Sequence, residues 1–232
     1  AVTKRCTWRS ITLTTLMVLG AIPTAAMADP SGRFSAERVV VFGDVHGAYD
    51  ELTGLLRAAR VVDDALHWTA GSTHVVSLGD ILDRGQGARP ALDLLMRLQS
   101  EAMAAGGRLH VVLGNHELMN LLGDLRYVPD AEFPAFAASD PGAHPIADRP
   151  AGFAARYDAF AADGSYGSWL LAQPAALVVN DTAYVHGGLP PVATRLGPEA
   201  LDQEVKARLR ELLHLRTELA AAGVIDARSD IQ

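Results

Sequence analysis

The chain has 232 residues, 49% hydrophobic and 20% charged, with 12 prolines, a profile that fits one sizeable globular domain and excludes collagen-like, coiled-coil and wholly disordered chains. Its single cysteine rules out a disulfide framework and a thiolate zinc site, which need cysteines in pairs or fours, so any metal must be held by His, Asp, Glu and Asn. A formal charge of −7 with no cluster of Lys and Arg argues against nucleic acid as a partner and against stable membrane association.

In chain order, the first element is a leader. Lys4, Arg5 and Arg9 precede an uncharged apolar run, Ile11 to Ile22, and Ala26-Met27-Ala28 before Asp29 matches a small-x-small cleavage site. Residues 1–28 are therefore expected to be a cleavable signal peptide and residues 29–232 the folded domain, with a periplasmic or secreted location. The apolar run is well short of the roughly 20 residues that span a bilayer. Cleavage after Ala28 would remove three cations and Cys6, taking the formal charge to −10 and leaving no thiol.

From Arg38 onward, short β-branched runs alternate with amphipathic stretches. Val39 to Phe42, Val75 to Leu78 and Leu109 to Leu113 are continuous apolar runs of the kind that form strands covered on both faces. Asp50 to Ala59 and Pro90 to Ala105 carry Leu, Met and Ala at helical spacing, the second ended by Gly106-Gly107. The order β-α-β-α-β implies an α/β fold with a mainly parallel inner sheet and helices outside it. Pro129 to Gly167, rich in Pro, Gly, Ala and Asp with no clean period, reads as an irregular insertion over one end of the sheet. Ala176 to Val179 and Ala183 to His186 read as a hairpin turning at Asn180-Asp181. Glu199 to Ala222 reads as a helix with a stripe of Leu201, Val205, Leu209, Leu212, Leu213 and Leu219, stopped by Gly223.

Each of the three central strands runs into a glycine-containing cluster of metal-ligand types: Gly43-Asp44-Val45-His46-Gly47, Gly79-Asp80-Ile81-Leu82-Asp83-Arg84-Gly85 and Gly114-Asn115-His116-Glu117. Ligands of open α/β sheets bind beyond the carboxyl ends of the strands, so these clusters converge on one rim, and a fourth cluster, Val185-His186-Gly187-Gly188, again puts a histidine past a strand. Two divalent cations about 3.5 to 4 Å apart need a bridging anion, for which Asp80 is the natural choice. Such a pair lowers the pKa of bound water from about 15.7 towards 7, so a hydroxide can attack phosphorus without a Ser or Cys nucleophile.

The order GDVHG, GDILDRG, GNHE and HGG resembles the signature of the calcineurin-like metallophosphoesterases, within them the phosphoprotein phosphatase superfamily. Met119-Asn120-Leu121 followed by Gly123-Asp124-Leu125-Arg126-Tyr127 is most similar to the bacterial Shewanella-like branch. The resemblance covers about Arg38 to Pro191 and implies a sandwich of mixed β-sheets flanked by helices. It implies two divalent ions (Mn, Fe or Zn), with Asp44, His46 and Asp80 on the first and Asp80, Asn115 and His186 on the second. By the same resemblance His116 protonates the leaving oxygen, oriented by Asp83, while Arg84 grips phosphate oxygens; Arg126 is a further candidate contact. Chemistry agrees: an imidazolium held by a carboxylate donates protons near neutral pH, and a planar guanidinium matches two phosphate oxygens. Glu117 is expected to bind backbone, and His67, His74, His110 and His144, with Trp68, Trp169, Tyr127 and Tyr166, are expected to be surface or packing residues.

The family normally adds one more histidine to the second metal from a later Gly-His or Ala-His segment. After His186 only His214 remains, inside a helical run, and a Trp-Tyr-Arg-Gly-type segment is missing. The chain is therefore expected to be truncated at its C-terminus, without the last sandwich strands and with a weaker second site. The expected substrate is a phosphate monoester, protein-borne or small. The alternatives are a dinucleoside-polyphosphate or other small-molecule phosphoesterase, because GDVHGAYDEL also resembles those relatives, and an inactive phosphate-binding fragment.

Overall fold

The computed structural model describes residues 33–137, 149–189, 191, 193–226 and 228; the leader with its cleavage site, and His144, lie outside the described residues. The strands are β1 (Arg33–Phe34), β2 (Val39–Phe42), β3 (His74–Ser77), β4 (Arg108–Val111), β5 (Ala176–Val179) and β6 (Thr182–Val185). The helices are α1 (Tyr49–Ala58), α2 (Ala88–Ala104), α3 (Asn115–Leu122), α4 (Pro134–Ala137), α5 (Phe153–Phe160), α6 (Ser165–Ala172) and α7 (Pro198–Ala221).

The expected β-α-β-α-β core is present: β2, β3 and β4 form a parallel sheet with β3 in the middle, its four residues all buried. A second sheet, ordered β1-β5-β6, holds the expected hairpin antiparallel, and Asn180 at its turn has φ +58°, a left-handed conformation that Asn tolerates better than most residues. The strand β1, which no sequence pattern announced, pairs in parallel with β5.

Side-chain alternation makes these sheets into a sandwich. Val75, Leu109 and Val111 point to the helix side, where they pack with Leu52 and Leu56 of α1 and Leu92, Leu95 and Leu98 of α2. Val76 and Val112 point the other way and meet Leu177 and Val179 of the second sheet. The parallel strands are thus covered on both faces, which is why they read as unbroken apolar runs. Helix α7 lies against β5, and Asp202 Oδ1 accepts a hydrogen bond from Ala175 N at 2.7 Å.

Two expectations are corrected. The Pro129 to Gly167 stretch is not irregular where it is described: a 3₁₀ turn at Asp130–Glu132, α4, α5 and the start of α6 occupy it. These helices have eight residues or fewer, too short for a periodic stripe, and they are fixed by Phe136, Phe160 and Tyr166 packing on one another rather than by propensity. In α7, Leu212 leaves the stripe and is exposed, whereas Leu209 is buried and Leu213 packs against the core. Strand and helix ends differ from the expected ones by one or two residues, as happens where ends fray. Among the described residues no helix is long and apolar enough to cross a membrane.

Candidate metal centre

The carboxyl ends of β2, β3 and β4 share one rim because the strands are parallel and in register. Backbone hydrogen bonds stitch the loops that follow: Val45 N and His46 N each donate to Asp80 O at 2.9 Å, and Gly47 N donates to Ile81 O at 2.9 Å. Glu117, fully buried at the start of α3, joins the second loop to the third. Its carboxylate accepts from Asp80 N at 2.8 Å, Ile81 N at 2.9 Å and Gly114 N at 2.9 Å. Glu117 therefore binds backbone as expected; burial raises its pKa, and the amide donors oppose that rise. Gly114 is required by close approach, since a Cβ there would lie 2.2 Å from Asp80 Oδ1.

The rim is also strained. His46 (φ +48°), Asp80 (+52°), Asp83 (+70°) and Arg84 (+65°) make up four of the seven non-glycine residues with positive φ among the described residues. Each such residue costs about 1–3 kcal/mol and persists only where its surroundings over-determine it.

All five residues expected to bind metal come together, with Asp80 at the centre. Its Oδ1 accepts from His116 N at 3.0 Å, which leaves Oδ2 facing His186 Nε2 at 3.4 Å, His46 Nε2 at 3.8 Å and His116 Nε2 at 3.9 Å. Asp44 Oδ2 is 3.6 Å from His46 Nε2, and Asn115 Oδ1 is 3.0 Å from His186 Nε2. Two sets, His46-Asp80-His116 and Asp44-Asp80-His186, each place their ligand atoms within 4.8 Å of one another, and Asp80 belongs to both.

The tautomers follow from the backbone. His46 Nδ1 is 3.0 Å from Leu82 O and His186 Nδ1 is 2.9 Å from Leu78 O. In each ring Nδ1–H donates to the carbonyl, so the Nε2 lone pair faces the cluster, the arrangement that orients metal-binding histidines. His46 Nε2 is buried without a hydrogen-bond partner while facing two carboxylates. Imidazole nitrogens, carboxylates and an amide oxygen around an orphaned acceptor fit a divalent cation.

His116 is oriented differently. Its Nδ1 is 2.6 Å from Asp83 Oδ2, with both side chains buried, which leaves its Nε2 on the side of Asp80 Oδ2, 3.9 Å away. Arg84 Nη2 lies 3.3 Å from that Nε2. Tyr127, 46% exposed, sits beside both, with its ring 5.2 Å from the His116 ring and 6.0 Å from the Arg84 guanidinium. Tyr127, expected to be a surface or packing residue, is exposed with its ring packed beside these two side chains. Arg126 belongs to the same turn, and its Nε and Nη2 donate to Asp124 at 2.8 and 2.7 Å, so its guanidinium is already gripped by a carboxylate. Asn120 was missed as a site residue although it stands one turn after His116 on α3; its Nδ2 donates to Asp83 Oδ1 at 2.9 Å. His214 is exposed and pairs with Glu218 at 3.3 Å on α7.

Residues 37–217 match the family model described as calcineurin-like phosphoesterase. Shewanella-like protein phosphatase 2 of Arabidopsis thaliana is 34% identical over 199 residues, covering 73% of this chain and 51% of that protein. Shewanella-like protein phosphatase 1 of Plasmodium berghei is 29% identical over 174 residues, covering 75% and 44%. Among solved structures, the cold-active protein-tyrosine phosphatase of a psychrophilic Shewanella species superimposes with a TM-score of 0.64 at 31% identity, covering 77% of this chain and 51% of that one. The chain spans about half the length of these relatives.

Proposed function

Since the chain belongs to the calcineurin-like phosphoesterases, we propose that it hydrolyses phosphate monoesters, phosphoproteins among them, at the rim cluster. The observation that carries this reading is Asp80 Oδ2 ringed by the Nε2 atoms of His46, His116 and His186. Asp44, His46 and Asp80 would hold one divalent ion, and Asp80, Asn115 and His186 a second. When bound, the pair supplies a water nucleophilic at neutral pH and positive charge against the phosphoryl oxygens.

The chain's own residues do the rest. Arg84, exposed at the opening, binds two phosphate oxygens in a planar fork, and Arg126 adds a weaker contact because Asp124 competes for it. As Arg84 turns to the phosphate it leaves His116 Nε2, which then faces the leaving oxygen. Asp83 holds the ring, so that His116 delivers the proton that makes an alkoxide or phenoxide leave as the alcohol or phenol. The solved relative named as a protein-tyrosine phosphatase, and the Tyr127 ring at the mouth, favour phosphotyrosine as the first ester to test. The leader-like residues 1–28 support a periplasmic or secreted place of action.

The test is a parallel assay of 4-nitrophenyl phosphate, phosphotyrosine and phosphoserine peptides and a dinucleoside polyphosphate with added Mn²⁺. Monoester turnover should disappear in Asp80→Asn, and turnover of the phosphoserine peptide, whose alkoxide needs a proton to leave, should fall by about 10²- to 10⁴-fold in His116→Ala. Hydrolysis of the dinucleotide alone, or activity untouched by Asp80→Asn, would reject the reading.

A further inference from the structure

Behind the His116–Asp83 pair lies a chain of buried polar groups that the chemistry above does not use. Asn120 Nδ2 donates to Asp83 Oδ1 and to His116 O, both at 2.9 Å, and Asn120 Oδ1 accepts from Arg156 Nη2 at 2.8 Å. Arg156 Nε donates to Glu132 Oε1 at 2.7 Å, and Arg156 Nη2 is also 3.9 Å from Asp83 Oδ1. The Arg156 side chain is 0% exposed, and the rings of Phe160, Phe133 and Phe136 stand 4.5, 5.7 and 5.8 Å from its guanidinium carbon. Arg156 comes from α5 and Glu132 from the 3₁₀ turn before α4.

The way Arg156 divides its donors is informative. A buried Arg–Glu pair serving only to hold helices together would be bidentate, both carboxylate oxygens meeting both edges of the fork. Here Glu132 Oε2 and Arg156 Nη1 have no hydrogen-bond partner, and Nη2 reaches past Glu132 to Asn120. Two buried polar atoms left unpaired are expensive, and what the geometry gains is a rigid link to Asp83. That residue needs one: it sits in a loop at φ +70°, outside any helix or strand, and cannot hold itself.

We propose that Glu132, Arg156 and Asn120 are positioning residues for proton delivery: Glu132 and Arg156, from the segment after α3, hold Asn120, Asn120 locks Asp83, and Asp83 locks the His116 ring at the leaving oxygen. The inference rests on the reading of His116 as proton donor. Its signature is selective for leaving groups, because an activated ester departs without a proton and an alkyl ester does not. Arg156→Met and Asn120→Ala should lower kcat for an alkyl phosphate by about 10- to 100-fold, with KM little changed and 4-nitrophenyl phosphate turnover within about threefold. Arg156→Lys should recover only part of the loss, since one ammonium cannot reach both Glu132 and Asn120.

The experiment compares the full chain and these variants on both esters. It also follows the His116 Nδ1–H resonance by NMR in the zinc-loaded, ¹⁵N-histidine-labelled chain. That proton should be observable in the unmodified chain and broadened or lost in Arg156→Met and Asn120→Ala. Should Arg156→Met not fold, Asn120→Ala, which keeps the Arg156–Glu132 pair, decides. An equal fall on both esters, unchanged kinetics in folded variants, or a retained Nδ1–H signal overturns the proposal. If the unmodified chain hydrolyses neither ester, the function reading fails, while the NMR signal still reports on the link.

Discussion

Acid should unfold this protein through a pair of histidines remote from the metal centre. His110 on β4 and His74 on β3 are buried between the two sheets, with His110 Nε2 3.1 Å from His74 Nδ1 and the Phe34 ring 4.4 Å from that of His110. Only one hydrogen fits between the facing nitrogens. Burial, then His74, then Arg108 push His110 down from 6.5 to about 3; burial and Arg108 lower His74 too. A folded-state pKa below the unfolded value means that the unfolded chain takes up the proton first. The stability is therefore whole above pH 6.5 and is lost as pH falls from there towards 3. At 1.36 kcal/mol per pH unit, His110 alone removes about 2 kcal/mol by pH 5. For a domain of this size that is about 4–8 °C in Tm. His110→Leu, which keeps the site apolar but cannot titrate, should lose correspondingly less Tm than the unmodified chain between pH 7.5 and 5. Calorimetric unfolding curves of the two proteins that stay parallel to within about 1 °C over that range would refute the linkage.

Three further outcomes follow from the rim. Glu117→Ala strands the amide donors of Asp80, Ile81 and Gly114 and should destabilise by about 3 kcal/mol or more, with Glu117→Gln falling between, as urea unfolding would measure. Gly114→Ala puts a methyl 2.2 Å from Asp80 Oδ1 and should lower bound metal, read by elemental analysis, while circular dichroism shows the fold retained. Arg84→Ala should raise KM for 4-nitrophenyl phosphate by about tenfold or more, and Arg126→Ala by only about threefold with Tm nearly unchanged, because its ion pair with Asp124 is exposed.

The sheet and the rim cluster were legible because both leave short-range marks. Parallel strands covered on two faces read as apolar runs, and the polar clusters at their carboxyl ends follow each run within a few residues, so the clusters could be picked out by spacing, while the family resemblance singled out Asp44, His46, Asp80, Asn115 and His186 within them as candidate ligands. The buried chain was not legible. Arg156 sits in a helix of eight residues among aromatics, 36 positions from Asn120 and 24 from Glu132, and nothing local separates it from a surface arginine. Asn120 was the exception, one helical turn from His116 and open to discovery by spacing. Strand β1 escaped because two residues carry no period.

The decisive measurement is electron paramagnetic resonance of the chain titrated with Mn²⁺, alongside elemental analysis. Two ions sharing the Asp80 carboxylate should give, at saturation, an exchange-coupled spectrum from two Mn²⁺ per chain, and Asp80→Asn should abolish the coupling and most of the binding. A spectrum of isolated ions at full loading, or one that Asp80→Asn leaves unchanged, would contradict the dinuclear centre.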